Sequence, residues 1–319
     1  MNKRTVWLGR LMLILVLAIA MGIPALCETD DAEPNAEIAL EAIEDRESLR
    51  ESLELVNAYK HILVLGIDAR PGESTGRTDT MVILSVHPEN NSIKMISLMR
   101  DLYVEIPGRK NNRLNSAYFY GGAELLMETI EANFGVHIDA YVAVNFSMLA
   151  NLIDQLGGLT LTVESEYYMK RINAVIRQDN LVLGIDKNDG LLTEWGDVLM
   201  TGKQAQAYAR YRYGTKDGDF GRTARQREVL VKIFEKLSNM PLLELIGLAA
   251  ANFENVYTNM TVQDMATMAP MILAMKEAEI SQLRIPIDGG YSSKTVSGMA
   301  VLVPNRTKNM EAIASFLAE

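Results

Sequence analysis

The sequence predicts a single globular α/β domain, a three-layer α/β/α sandwich around a mixed central sheet that includes a β-hairpin. Short β-rich runs bounded by turn residues alternate with segments whose apolar residues recur at helical spacing. Strands that alternate with helices imply a sheet covered on both faces. A chain of 319 residues, 48% of them hydrophobic, is long enough to bury one large core.

The first three predicted strands span residues 61–67, 80–86 and 92–98. A short polar turn separates the second strand from the third and predicts a hairpin. In an up-and-down arrangement, the end of the first strand, the start of the second and the end of the third lie at one edge of the sheet. We therefore expect Asp68, Asp79 and Arg100 to converge at that edge.

The later helices and strands are predicted from the spacing of apolar residues and from glycines that end helices. The predicted helices are 122–134 with Gly135 as C-cap, 146–156 ending before Gly157 and Gly158, 222–237, 242–252, 262–275 and a closing helix from Asn305. The predicted strands are 141–144, 159–163, 282–286 and 298–303. An extended backbone is expected for residues 208–213.

The N-terminal part of the chain predicts a membrane anchor or signal segment at 1–27, an acidic stalk at 28–56 and the folded domain at 57–319. Basic residues precede an unbroken apolar run from 11 to 27, which is too apolar for a soluble helix. This charge pattern predicts a single-pass protein of the cytoplasmic membrane, with everything after the run outside the cytoplasm. Cleavage near Cys27 is the alternative and would give a secreted protein.

Most of the net charge of -10 lies in the stalk. Between Glu28 and Glu54 the sequence has eleven acidic residues and only two arginines. The folded domain is therefore close to charge balance, and a nucleic-acid partner receives no support. Cys27 is the single cysteine of the chain, which excludes an intrachain disulfide and a thiolate metal cage.

Two carboxylates at the predicted sheet edge are candidate metal ligands. Asp68 and Asp79 come from separate elements beside the glycine- and arginine-bearing loop 72–77. Oxygen ligands of this kind suit a hard cation, so the pattern predicts Mg²⁺, or Mn²⁺ in its place. The alternative is that both are turn residues whose carboxylates accept hydrogen bonds from nearby backbone amides.

Two groups of arginines are candidate anion-binding residues. An extended backbone would place Arg210 and Arg212 on one face, where a pyrophosphate between them would relieve their repulsion. Ion pairs with surface acids are the alternative. Arg222, Arg225 and Arg227 crowd the start of a helix and oppose its dipole, which favours compensation by bound negative charge, with Asp219 supplying part of it. Helical spacing puts Gln226 on the same side as Arg222.

These motifs together resemble the LytR-CpsA-Psr family of bacterial cell-wall ligases. The resemblance covers nearly all of residues 60–237. Its carriers are ILVLGIDAR at 62–70, GRTDT at 76–80, SLMRD at 97–101, YARYRY at 208–213, and GDFGR at 218–222 followed by Arg225 and Gln226. The segment 298–304 is similar to the closing strand and helix entry of the family.

The resemblance implies transfer of an anionic glycopolymer, such as wall teichoic acid or capsule, from a polyprenyl-pyrophosphate carrier to a peptidoglycan hydroxyl. Asp68 and Asp79 would hold the magnesium ion. Arg77, Arg100, Arg210, Arg212, Arg222 and Gln226 would bind the pyrophosphate, and Arg100, Asp101 and Asp219 are the expected catalytic residues. Three groups could accept the proton of the attacking hydroxyl, and the resemblance does not choose among them: Asp101, Asp219 and a phosphate oxygen.

Two other functions use the same residues. A hydrolase would cleave the polyprenyl pyrophosphate with water as the acceptor. A nonenzymatic binder of polyprenyl phosphates, acting as a regulator, would not need the two metal-binding carboxylates.

Overall fold

The computed structural model of the chain describes residues 59–68, 76–87, 92–211, 218–241, 244, 248, 257–260 and 280–318. The predicted anchor, the predicted stalk, the predicted helix 262–275 and nearly all of the predicted helix 242–252 lie outside these residues. Among the described helices, none combines the length and apolar character needed to cross a bilayer. The N-terminal anchor therefore stays a prediction.

Six strands of the described chain form one mixed sheet: β1 (Lys60–Asp68), β2 (Arg77–His87), β3 (Ser92–Leu98), β6 (Ala140–Asn145), β9 (Tyr257–Thr258) and β10 (Ile280–Ile285). Their order is β10-β3-β2-β1-β6-β9. β1, β2 and β3 are antiparallel in succession, β6 is parallel to β1, and β10 is parallel to β3. The predicted class, an α/β domain around a mixed sheet with a β-hairpin, is confirmed.

Helices and short ribbons follow the strands. The helices are α1 (Asn115–Phe134), α2 (Phe146–Gln155), α3 (Glu166–Leu183), α4 (Gly202–Arg210), α5 (Gly218–Ser238) and α6 (Arg306–Ala318). The two-stranded ribbons are β4 (Tyr103–Val104) with β5 (Asn112–Arg113), β7 (Leu159–Val163) with β8 (Gly196–Met200), and β11 (Tyr291–Val296) with β12 (Met299–Pro304).

One hydrophobic core lies between the sheet and helices α1 and α6. Leu63, Leu65 and Ile67 alternate along β1 and are buried in it, as period-two patterning requires. The C-terminus of α6 is fixed to the sheet by two side chains. Tyr59 Oη donates to the carbonyl of Leu317 at 2.7 Å, and the buried ammonium of Lys94 donates to the carbonyl of Phe316. A cation at this end also interacts favourably with the negative end of the helix dipole.

A second core joins α2, α3, α4 and α5 to the β7–β8 ribbon. Ile153, Leu161, Ile172, Tyr208 and Val229 come from five of these elements and are buried together. Packing of α5 against α4 fixes the position of the α5 N-terminus, where several predicted site residues lie.

The sequence did not predict α3, and the reason lies in its buried face. Ile172 and Ile176 are buried, but so are Asn173 and Asn180, which interrupt the apolar spacing. The Asn173 side chain is satisfied by both backbone groups of Leu192, at 2.8 and 2.9 Å. Buried polar residues that find such partners are stable, yet they remove the hydrophobic period from the sequence.

The prediction of an extended backbone from residue 208 was wrong, because α4 continues to Arg210. Thr201 starts this helix with a capping box: its hydroxyl accepts from the backbone of Gln204, whose side chain accepts from the backbone of Thr201. The alanine-rich segment that follows has high helix propensity. Arg212 lies outside the described residues.

Close packing of α2 on α4 depends on Gly202. Its N–H donates to Asp154 Oδ1 at 2.7 Å, and a Cβ at this position would lie 1.9 Å from the carbonyl oxygen of Ala150. Gly202→Ala is therefore expected to lower the free energy of unfolding by about 3 kcal/mol, because the two helices must separate. Urea unfolding measures the change. Lys203→Ala, one position along, is the control, and an equal effect of both would contradict this account.

Candidate active site

Asp79 lies at a β-bulge in β2. Gly66 pairs with Thr80 and Ile67 pairs with Thr78, so Asp79 is the extra residue of the bulge. A bulge of this kind re-aims a side chain and is frequent beside active sites. The close approach of the strands also requires a glycine, since a Cβ on Gly66 would lie 2.9 Å from the Cβ of Thr80.

Arg100 follows β3, and its guanidinium lies among three carboxylates. Nη1 is 2.7 Å from Asp79 Oδ1, Nη2 is 3.5 Å from Asp219 Oδ1, and Nε is 3.7 Å from Asp101 Oδ2. Burial disfavours the charged form, but attraction to Asp79, Asp219 and Asp101 outweighs this effect, so the pKa of Arg100 is raised. Arg100 is a fixed cation over the whole physiological pH range.

Arg222 is a deeply buried cation, with 1% of its surface exposed. Its Nη2 donates to Asp219 Oδ2 at 2.8 Å, and its Nη1 lies 4.0 Å from Asp79 Oδ2. Asp219 is in the first turn of α5, where a carboxylate interacts favourably with the positive end of the helix dipole. The expected compensation of Arg222 at this helix start thus comes at least in part from two protein carboxylates.

Arg113 was not predicted from the sequence. It lies on β5, and its Nη1 is 3.1 Å from Asp101 Oδ1. Asp101 therefore connects Arg113 to Arg100. The β4–β5 ribbon creates this contact across twelve positions of sequence, which neither helical nor strand spacing indicates. The basic residue itself is the only signal that the sequence offers.

Six side chains of the described chain thus form one cluster of ion pairs, which we call the arginine–aspartate cluster. Its members are Arg100, Arg113, Arg222, Asp79, Asp101 and Asp219. They come from the ends of β2 and β3, from β5 and from the first two turns of α5. Three guanidiniums are held in place by three carboxylates in a partly buried position.

Arg210, the last residue of α4, forms an ion pair with α3. Its Nη1 is 2.8 Å from Asp179 Oδ2 of α3. Arg225 fixes the C-terminus of α4 to α5, because its Nε donates to the carbonyl of Tyr208 at 3.2 Å and its Nη2 donates to that of Tyr211. Arg225 therefore has a structural role: it attaches the end of α4, which includes Arg210, to α5 at a point one helical turn after Arg222.

Gln226 is a buried donor next to the cluster. It is 6% exposed, and its Nε2 has no hydrogen-bond partner among the described residues. Buried amides without a partner are rare in native proteins and call for an explanation such as a bound ligand. It lies on α5, four residues after Arg222, so the two residues are on the same side of the helix.

Asp68 and Asp79, the predicted metal ligands, are brought to one edge of the sheet by the pairing of β1 with β2. Asp68 closes β1, and its backbone pairs with Arg77, two residues before Asp79. For Asp68 and Arg77 the structure describes the backbone but not the side chain. Within the described chain, no group of three or more histidine, cysteine, aspartate or glutamate residues could hold a metal by itself. Two carboxylates suffice for Mg²⁺ when phosphate oxygens and water complete its coordination.

Comparison with known proteins identifies the class. The LytR_cpsA_psr family model matches residues 31–315, so the chain belongs to the LytR-CpsA-Psr family. It is 33% identical over 231 residues to the polyisoprenyl-teichoic acid–peptidoglycan teichoic acid transferase TagU of Bacillus cereus, covering 72% of this chain and 69% of that protein.

Two further similarities extend this result. The chain is 30% identical over 263 residues to the regulatory protein MsrR of Staphylococcus aureus, covering 81% of this chain and 74% of that protein. The crystal structure of B. subtilis TagT matches with a TM-score of 0.62 and 25% identity, covering 82% of this chain and 90% of that one. The family predicted from the sequence motifs is confirmed.

Proposed function

We propose that this chain transfers an anionic glycopolymer from a polyprenyl-pyrophosphate carrier to a hydroxyl group of peptidoglycan. The observation that carries the proposal is the arginine–aspartate cluster, in which Arg100 and Arg222 are fixed and partly or fully buried. Fixed cations of this kind neutralise the charge that spreads over phosphate oxygens in phosphoryl transfer. The name of the related TagU, a polyisoprenyl-teichoic acid–peptidoglycan transferase, supports the same reaction.

In the proposed reaction, the acceptor hydroxyl oxygen attacks the phosphorus that carries the glycopolymer. A new P–O bond forms to peptidoglycan, the P–O bond within the pyrophosphate breaks, and polyprenyl phosphate leaves with the electron pair. Arg100 and Arg222 bind the phosphate oxygens, with the buried amide of Gln226 as a further donor. Arg77, Arg210 and Arg212 are proposed to bind the pyrophosphate from the adjoining segments.

Asp101 and Asp219 are assigned to orient the arginines. Asp219 has one oxygen on Arg222 and the other toward Arg100, and Asp101 similarly connects Arg113 and Arg100. Both oxygens of each carboxylate are thus directed at guanidiniums. We therefore propose that the proton of the acceptor hydroxyl passes to a phosphate oxygen.

Magnesium, or manganese in its place, belongs to the same proposal. Asp68 and Asp79 would hold the ion, which would offset part of the negative charge of the pyrophosphate. The apolar run 11–27 is proposed to anchor the chain in the cytoplasmic membrane, with the catalytic domain outside, where peptidoglycan is located.

The test is an assay with the purified full-length chain, a synthetic polyprenyl-pyrophosphate saccharide, a peptidoglycan oligomer and magnesium, followed by identification of the products. We expect a phosphodiester-linked conjugate whose rate of formation rises with the acceptor concentration. Chelation of the metal is expected to stop the reaction.

Two other outcomes would replace this function. Saccharide phosphate released at a rate indifferent to the acceptor would identify a hydrolase. Tight donor binding with no turnover would identify a binder, a role consistent with the name of the related regulatory protein MsrR.

Arg113 provides a prediction for the role of the outer part of the cluster. Arg113→Met is expected to lower kcat about 10- to 100-fold with little change in KM, because Asp101 would no longer be fixed against Arg100. Arg113→Lys, which keeps the charge, should restore most of the rate. A purely structural role would lower the unfolding temperature of both variants equally and leave kcat per folded molecule unchanged.

A further inference from the structure

The last turn of α3 exposes an unusual run of apolar residues. Leu181, Val182 and Leu183 are 68%, 69% and 67% exposed, and Ile185 just beyond the helix is 45% exposed. A helix that packs on a domain normally presents its apolar residues to one side, whereas three consecutive residues spread around the axis. We call Leu181, Val182, Leu183 and Ile185 the apolar knob.

The apolar knob is held rigidly by one buried side chain. Asn180 is fully buried, and its Nδ2 donates to the carbonyls of Asp186, Lys187 and Asp189 at 3.0, 3.2 and 2.9 Å. Gly184 ends the helix in the left-handed conformation. The chain therefore builds a fixed apolar projection here, and does not merely leave apolar side chains on a loop.

The helix turn that carries the apolar knob is joined to the end of α4 by an ion pair. Asp179, two residues before Leu181, pairs with Arg210. Arg210 ends α4, and Arg225 attaches that end to α5 one turn from Arg222. A short series of direct contacts thus connects the exposed apolar residues to the arginines that are proposed to bind pyrophosphate.

The charges around the apolar knob suit an anionic surface. Arg177 and Lys187 flank it and are exposed. The carboxylates of Asp179 and Asp189 are paired with Arg210 and Lys203. Two exposed cations thus flank the apolar knob, and two of the three carboxylates between positions 177 and 189 are paired with cations, in a chain whose net charge is -10. Basic residues beside inserted apolar groups add to the attraction of anionic lipid head groups.

We propose that the apolar knob inserts into the interface of the lipid bilayer and seats the active site at the membrane surface. The choice of a bilayer as the partner rests on the proposed function, because a polyprenyl donor resides in a membrane and must reach Arg210 from it. The predicted anchor 11–27 would keep the domain at the same surface. Insertion of a rigid projection costs little conformational entropy on binding.

The contact can be measured by lipid quenching in the full chain. Cys27→Ser removes the single cysteine, and bimane is then attached at Val182→Cys or, as a control, at Lys170→Cys. Lys170 is exposed on the same helix, about 18 Å earlier along its axis. With phosphatidylethanolamine–phosphatidylglycerol vesicles that carry nitroxide-labelled lipid, fluorescence should fall at least about twofold at 182 and hardly at 170. Equal quenching at both positions would overturn the contact.

Kinetics give the second measurement. The double variant Val182→Ser, Leu183→Ser changes only exposed side chains and should fold normally. Its kcat/KM for a donor embedded in vesicles should fall about tenfold, while kcat/KM for a water-soluble short-prenyl donor stays unchanged. Leu199→Ser, at an exposed leucine of β8, is the matched control and should leave both values unchanged.

The remaining outcomes separate the two proposals. An equal loss with the soluble donor would overturn the membrane contact, as would quenching at 182 by a nitroxide-labelled second copy of the chain in the absence of lipid. Quenching at 182 in the labelled chain, combined with no turnover of either donor by the wild-type chain, would support the contact and contradict the proposed transferase.

Discussion

Arg100→Ala is expected to lower kcat/KM for glycopolymer transfer at least about 1000-fold. The guanidinium of Arg100 faces all three carboxylates of the cluster, Asp79, Asp101 and Asp219. Its loss would remove a phosphate ligand and leave three carboxylates that repel the pyrophosphate. Acceptor-dependent product formation by the purified full chain measures the effect.

Arg100→Lys is the matched control. Lysine keeps the charge but lacks the planar fork that contacts several oxygens at once, so we expect an intermediate rate. Both variants should unfold cooperatively in urea. Full turnover by Arg100→Ala, in a protein that is folded, would contradict the assignment of Arg100.

Arg222→Met is expected to affect stability and activity together. Arg222 is 1% exposed and bonded to Asp219, so its removal leaves a carboxylate at the cluster without its closest cation. Loss of one member of a buried ion pair lowers the free energy of unfolding by about 3 kcal/mol. Urea unfolding measures this change, and donor binding should be lost in the same variant.

Arg227→Met provides the control on the same helix. Burial, with repulsion from Arg284, lowers the pKa of Arg227, which means that its charge is held unfavourably. Its removal should leave the free energy of unfolding unchanged or raise it slightly. If Arg227→Met destabilised the protein as much as Arg222→Met, the special role of the cluster would be contradicted.

The central strands were predicted well from the sequence because residues close together in the chain determine them. Alternation along β1 and the polar turn before β3 determine which residues pair, and the structure has β3 at the predicted residues. Convergence of Asp79 and Arg100 followed from the up-and-down order of these strands. By contrast, the bulge that isolates Asp79 from the register depends on how β1 and β2 pair, which composition does not indicate.

The missed features share a different cause: they depend on contacts between distant segments. The buried asparagines of α3 are stable only because the loop beyond the helix returns to them. Arg113 gains its role only when β4 and β5 pair. The helix that replaced the expected extended segment at Arg210 was indicated by a local capping box, and reading Thr201 with Gln204 would have predicted it.

The most direct test of the central claim is a crystal structure of the chain with magnesium and a pyrophosphate donor analogue that cannot be transferred. We predict phosphate oxygens at about 3 Å from the guanidiniums of both Arg100 and Arg222. Phosphate bound instead elsewhere, for example in the polar groove between the β7–β8 ribbon and Lys232 and Lys236 of α5, would contradict the account.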